Sequence, residues 1–183
     1  MTFESDKKTT LTKIDKSKKG KIDKEVLPLI KKINSSKNHY TTSSCAGRII
    51  ILARIGKKNQ AKILFITHKK TNLKQVKAAL KKLPKYDVWF KFEPLIMHIA
   101  SRTLEHAQQL INKARAIGFR RSGIQSTKSR FVSELASTER IEAIIAQKEK
   151  LIVDDTYLKQ LIKQANKKLE KNKIKIKKFY KEI

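Results

Sequence analysis

The clearest periodic signal lies in the last third of the chain. Leu158, Ile162, Ala165, Leu169, Ile176 and Phe179 recur three, four or seven apart, which predicts an amphipathic helix from Asp155 to about Tyr180. Three shorter helices follow the same logic. Val26, Leu27, Ile30 and Ile33 share a face behind a capping Asp23, with Pro28 in the first turns, where proline is tolerated. Leu73, Val76, Leu80 and Leu83 predict a helix capped by Thr71 or Asn72 and stopped by Pro84. Leu104, Ala107, Leu110, Ile111 and Ala114 predict another, capped by Thr103 and ended by Gly118. Short β-branched runs read instead as strands. Arg48 to about Arg54 and Ala61 to Ile66, joined by the turn Gly56-Lys57-Lys58-Asn59, predict an antiparallel hairpin. Asp87–Phe92 and Leu95–Ile99 are two further strands, and Ser122–Ile124 and Phe131–Leu135 are two short ones joined by a basic loop. Residues 4 to 21 are polar and lysine-rich, with Lys18-Lys19-Gly20 as a loop, and residues 139 to 152 fit neither period.

Two segments resemble each other. Ile63–Ile66 leads to a helix capped near Thr71, and Leu95–Ile99 leads to one capped by Thr103; each helix is followed by another strand. A duplicated strand–helix–strand unit predicts an α+β fold with one mixed sheet layered with helices. The chain of 183 residues reads as a single domain long enough to bury a core, after a polar N-terminal segment. The five glycines form no Gly-x-Gly-x-x-Gly and no Walker loop, so a Rossmann nucleotide site is not signalled.

Charge narrows the partner. There are 44 Lys and Arg against 16 Asp and Glu, a net +28, spread over every region. A thermophile-type surface raises Glu together with Lys, and here Glu does not keep pace. Such a field favours a polyanion, and nucleic acid above others. No apolar run approaches the roughly 20 residues of a membrane span. The start Met1-Thr2-Phe3-Glu4-Ser5 lacks a signal-peptide core, and the lone cysteine excludes an internal disulfide, so a cytoplasmic setting is expected. One cysteine and four scattered histidines also give no zinc spacing, and no metal is expected.

The densest chemistry is Tyr40-Thr41-Thr42-Ser43-Ser44-Cys45-Ala46-Gly47-Arg48, which reads as a loop entering a buried strand. Its hydroxyls donate or accept, Gly47 admits a close approach to the backbone, and Arg48 offers a forked donor to carboxylate or phosphate. The same residues also fit a Ser/Thr turn with a buried thiol. Cys45 could be a nucleophile with its pKa lowered by Arg48. His98 stands among apolar residues, as a base or a satisfied edge residue. Lys91 and Glu93 share one strand face ahead of Pro94, as an ion pair or as a held carboxylate. Asn166 and Asn172 interrupt the apolar stripe of the last helix and need partners. The loop Phe119–Gly123, with Lys128 and Arg130 nearby, is a candidate phosphate contact or a solvated cluster.

These segments together resemble the tRNA wybutosine-synthesizing protein 3 family, methyltransferases acting on a hypermodified guanosine beside the phenylalanine anticodon. The resemblance runs from Ser17–Asp23 through Tyr40–Ile49, Thr67–Lys69, Lys91–Ile99 and Gly118–Ile124 to Ala165–Lys173 and Phe179-Tyr180. Ala46 stands where serine is common in the family, and the loop from Ile124 to Phe131 is short. The resemblance implies a non-Rossmann fold and methyl transfer from S-adenosylmethionine to ring nitrogen 4 of a wyosine-type base on phenylalanine tRNA. For such a transfer Ser43, Ser44, Cys45, Gly47, Arg48, Ser122 and Gly123 are the candidate cofactor contacts, with Ser43, Ser44, Gly47 and Arg48 holding either the cofactor's amino-acid end or a substrate phosphate, and Glu93 or His98 is the candidate base or orienting group. Lys91, Arg120, Arg121, Lys128 and Arg130 would then grip the anticodon stem-loop. Two rival classes share parts of this pattern: a non-catalytic RNA-binding module and a cysteine-dependent hydrolase. Oligomeric state is not legible.

Overall fold

The computed structural model describes residues 2–13, 23–56 and 60–183. The expected loop at Lys18–Gly20 and the tip Lys57–Asn59 of the expected hairpin turn lie outside them. The chain divides into two compact units, one from residues 1–46, 95–138 and 173–183 and the other from 47–94 and 139–172.

The first unit holds a four-stranded sheet ordered β1-β5-β7-β6, from β1 (His39–Cys45), β5 (Ile96–Ser101), β6 (Gly123–Ser126) and β7 (Phe131–Ala136). Its core face carries Met97, Ile99 and Leu135, covered by Val26, Leu29, Ile30 and Ile33 around α2 (Leu27–Ser35) and by Leu110 and Ala114 of α4 (Leu104–Ile117). Phe119 and Phe179 close this core edge to face, with ring centres 5.9 Å apart. Thr103 caps α4 by accepting from the His106 N–H, and Gly118 ends it in the left-handed region at φ 107°. Asp23 does not cap as expected. A 3₁₀ turn over Lys24–Val26 precedes α2, and the Asp23 carboxylate accepts from the Ala46 N–H at 3.0 Å instead.

The second unit holds a five-stranded sheet ordered β3-β2-β4-β8-β9, from β2 (Arg48–Arg54), β3 (Ala61–Thr67), β4 (Val88–Glu93), β8 (Ile141–Gln147) and β9 (Lys150–Leu151). Ile49, Ile51, Phe90 and Phe92 form its core face against Val76 of α3 (Leu73–Ala79) and against Leu158, Ile162, Ala165 and Leu169 of α5 (Asp155–Glu182). Asn72 caps α3 in a box with Gln75. This helix stops at Ala79, short of the expected Leu83. Asn166 satisfies itself on the backbone of Thr71, accepting at 3.0 Å and donating at 2.9 Å. Residues 139–152 resolve into the β8–β9 hairpin, whose turn puts Lys148 and Glu149 at positive φ.

The α+β class, the duplicated unit and the long last helix are all present, but the single mixed sheet is not. Two sheets form, and every pairing among the described residues is antiparallel. The reason is a strand inserted into each crossover. β3 and β4 flank β2, and β5 and β6 flank β7, so the parallel neighbours never touch.

The polar N-terminal segment contains a helix that hydrophobic spacing did not predict. In α1 (Phe3–Thr12) no residue is buried. It is fastened by polar and ring contacts: Phe3 lies 5.2 Å from the Tyr40 ring, Asp6 accepts from the Tyr40 hydroxyl, and Glu4 meets Arg102 at 2.6 Å. Burial, then the hydrogen bond to Asp6, pushes the Tyr40 phenol up to about 12.

His39 gives this unit a pH dependence. Burial first, then the charges of His106, Lys7 and Lys113, lower its pKa to about 4. The unfolded chain takes up that proton near 6.5. The folded-state pKa is therefore depressed, and the stabilisation present above the unfolded value is lost as pH falls through this window. Thermal melting of wild type and His39→Gln at neutral pH and near pH 5 checks it. The variant is expected to lose less stability than wild type, and equal losses would clear His39 of the effect.

Candidate active site

The hydroxyl-rich segment is a strand rather than the expected loop. Isolated Thr and Ser stretches suit turns, but here β5 offers an antiparallel partner from His39↔Ser101 to Cys45↔Ile96, with a bulge between Thr41 and Ser43 that puts Ser43 on the face opposite Thr41. The correction matters because strand register decides which hydroxyls share a face. Ser44 pairs with Met97 and lies on the core side. Ser43 and Cys45 lie on the other.

On that outer face, register builds a row across all four strands of the sheet. Ser43 pairs with His98, His98 with Glu134, and Glu134 with Gly123. The side chains connect along it. Ser43 Oγ is 2.8 Å from His98 Nδ1, and His98 Nε2 is 3.2 Å from Glu134 Oε2. The imidazole is half-exposed at 30% and Glu134 at 22%. A carboxylate on Nε2 fixes a proton there and leaves Nδ1 to accept from the Ser43 hydroxyl. Glu134 was not among the sequence candidates. Its only signal is its place two residues before Ala136 in a short strand, which says nothing without register. At the end of the row, a Cβ on Gly123 would meet nothing within 4 Å, so open space lies beside the Glu134 carboxylate.

In the second unit, Arg48 and Glu93 stand directly opposite across β2 and β4, with Arg48 Nε donating to Glu93 Oε2 at 2.7 Å. Both side chains are about a third exposed, at 30% and 38%. Arg48 therefore already faces a carboxylate from its own sheet. Gly47 precedes it at φ 92°, its carbonyl accepting from His68 Nδ1 at 2.8 Å. A Cβ at Gly47 would come within 2.9 Å of Asn172 Nδ2, the Glu93 carbonyl oxygen and the Pro94 carbonyl carbon. Asn172 is buried here, inside the close approach that only glycine permits.

The remaining candidates separate. Ser122 is buried and spends its hydroxyl on the turn, donating to the Phe119 carbonyl at 2.6 Å and accepting from the Ala136 N–H. Lys91, expected on RNA, has a side chain only 13% exposed and pairs with Glu142 at 2.6 Å. Arg54 joins the same carboxylate, and both cations lie over the Trp89 ring, at 4.5 Å for Arg54 and 5.6 Å for Lys91. The hydrogen bond from Lys91 holds the Glu142 carboxyl below its usual range. Arg120, Arg121 and Lys128 are exposed, whereas Arg130 meets Asp6 at 3.5 Å. Among the described residues, no helix is long and apolar enough to cross a membrane.

Comparison with known proteins adds the family dimension. A family model described as Methyltransferase TYW3 matches residues 5–183. A Pyrococcus furiosus protein named tRNA(Phe) 7-((3-amino-3-carboxypropyl)-4-demethylwyosine(37)-N(4))-methyltransferase 1 is 35% identical over 181 residues, covering 97% of this chain and 92% of its own. A Bos taurus tRNA wybutosine-synthesizing protein 3 homolog is 40% identical over 185 residues, covering 97% of this chain and 71% of its own. A solved Pyrococcus horikoshii protein superposes with a TM-score of 0.91 at 35% identity, over 98% of this chain and 94% of that one.

Proposed function

This chain belongs to the TYW3 methyltransferase family, and on that premise we propose that it methylates ring nitrogen 4 of a 4-demethylwyosine-type base at position 37 of phenylalanine tRNA, with S-adenosylmethionine as donor. The match over residues 5–183 supports reading the whole chain as one methyltransferase domain. The single observation that carries the chemistry is the Ser43–His98–Glu134 row.

The donor supplies a methyl group on a sulfonium, already activated for transfer. What remains for the protein is alignment and removal of one proton. The exposed Ser43 Oγ accepts the proton of the substrate ring N–H while passing its own to His98 Nδ1. The Glu134 carboxylate stabilises the imidazolium so formed and keeps the ring oriented. The nitrogen loses a proton and gains a methyl, and the proton leaves from His98 to water. The donor set fits the cofactor in charge. In the first unit, Glu134 beside the open space at Gly123 suits a cationic ammonium or sulfonium, with Ser43 and Cys45 on the same face. Separately, in the second unit, Arg48 and the backbone at Gly47 suit a phosphate of the RNA. Exposed Arg120, Arg121 and Lys128 supply backbone contacts to the anticodon stem-loop, whose looped-out base is cheap to unstack.

The test pairs calorimetry with transfer of labelled methyl to undermethylated phenylalanine tRNA. Saturable S-adenosylmethionine binding and label at position 37 are expected. A Cβ at Gly123 meets nothing within 4 Å, so Gly123→Leu is expected to add bulk beside Glu134 and weaken donor binding, with an unchanged melting temperature as the check on the fold. tRNA binding with neither donor binding nor transfer would reduce the protein to an RNA-binding module.

A further inference from the structure

Besides the outer face of the first sheet, the second unit carries a groove of about 460 Å³ where Lys70 and the start of α3 meet α5. Leu73 and Ile162 contribute apolar surface, and Lys70, Lys159, Lys163 and Lys167 line it with a single acid, Glu170. We propose that this groove is a second RNA-contact surface, which holds the phosphate backbone of the tRNA away from the modified base.

Three observations carry it. First, Lys159, Lys163 and Lys167 follow one another at four-residue spacing, so they stack on one face of α5, each about 6 Å further along the axis. Like charges at that spacing repel and weaken a helix. Second, these cations are uncommitted. All three are exposed, and none has an acidic partner among the described residues. The contrast with their neighbours is sharp: Lys77 pairs with Asp155 at 2.7 Å, and Lys91 with Glu142 at 2.6 Å. Third, Glu170 does not neutralise the groove. Its contact with Lys70 is 3.8 Å long between side chains 62% and 46% exposed, an ion pair that water and a phosphate readily replace. A row of mobile ammonium groups over a concave floor suits a repeating polyanion, because lysine contacts phosphate as a point charge without demanding a fixed geometry. It reads no bases, so it holds and orients the RNA rather than selecting it.

The inference rests on the tRNA reading above, and its experiment separates the two. Binding of full-length chain to unmodified phenylalanine tRNA is measured over a salt series, for wild type and Lys159→Glu/Lys163→Glu/Lys167→Glu. Each lost phosphate contact removes about one unit of slope in log K against log salt, so the variant is expected to bind at least about tenfold more weakly with a slope shallower by about 2 to 3. A control with the same charge change on exposed lysines after α3, Lys81→Glu/Lys82→Glu/Lys85→Glu, is expected to lose much less. In the transfer assay, the groove variant raises KM for tRNA and keeps kcat and donor affinity, the pattern of uniform binding lost. A groove variant with wild-type salt slope, or no weaker than the control, overturns the proposal while leaving the methyltransferase reading intact. Wild type that binds no tRNA at all overturns both.

Discussion

Replacing His98 with alanine is expected to lower the rate of methyl transfer by about 10²- to 10⁴-fold, the usual contribution of one positioned proton acceptor. The fold is expected to survive, because the imidazole stands on the outer face of the first sheet, while Met97 and Ile99 beside it hold the core. Ser43→Ala is expected to lose a comparable amount, because its hydroxyl is the atom that reaches Nδ1, at 2.8 Å. Glu134→Gln keeps the shape and removes the charge that steadies the imidazolium, and it should fall between these and wild type. The decisive measurement is the cycle. If Ser43 and His98 move one proton as a unit, the double variant is no slower than His98→Ala alone, far from the product of the two losses. Wild-type turnover in His98→Ala would remove the row from the chemistry and leave the Arg48–Glu93 pair as the place to look.

The second large effect is on stability, at Gly47. Alanine there must hold a left-handed φ of 92°, and its Cβ meets two backbone atoms and Asn172 at 2.9 Å. Left-handed strain of about 1–2 kcal/mol and overpacking of about 1–3 kcal/mol together predict a loss of roughly 2–5 kcal/mol. Gly56→Ala is the matched control. Its φ is also positive, at 58°, but nothing lies within 4 Å, so the strain stands alone. Denaturant unfolding of the two variants measures the difference directly. Equal losses would mean that the loop around Gly47 yields, and that the Glu93–Pro94 backbone is not a rigid wall. A large loss at Gly47 alone also explains the glycine between Ala46 and Arg48: the backbone of β2 enters here at contact distance from Glu93–Pro94 and the buried Asn172.

The other candidates sort by what already occupies them. Ser122 and Lys91 stand in motif segments as candidate ligand contacts, yet the first spends its hydroxyl on its own turn and the second its ammonium on Glu142 and the Trp89 ring. A polar residue in a motif segment therefore has two possible employers, the ligand and the fold, and only its neighbours tell them apart.

Much of the architecture was legible because its signals are local. The caps at Asn72 and Thr103, the stop at Gly118 and the stripe from Leu158 to Phe179 act within a few residues, through backbone donors and helical spacing. The strand–helix–strand repeat was legible for the same reason. Pairing was not. Whether β3 and β4 touch, or admit β2 between them, is settled by strands far apart along the chain, and so one mixed sheet was expected where two antiparallel ones form. α1 carries no such signal, because it is held by Asp6, Glu4 and Phe3 rather than by an apolar stripe. The site shows the division most plainly. Ser43 and His98 could be named from their segments, but Glu134 could not, and neither could the loss of Ser44 to the core side. A strand shows its partner only every second side chain, and register across β1, β5 and β7 chose which ones meet. Residue types and local helix ends were set by sequence alone; the meeting of hydroxyl, imidazole and carboxylate was decided by non-local hydrogen-bond ladders, which no short stretch of sequence encodes.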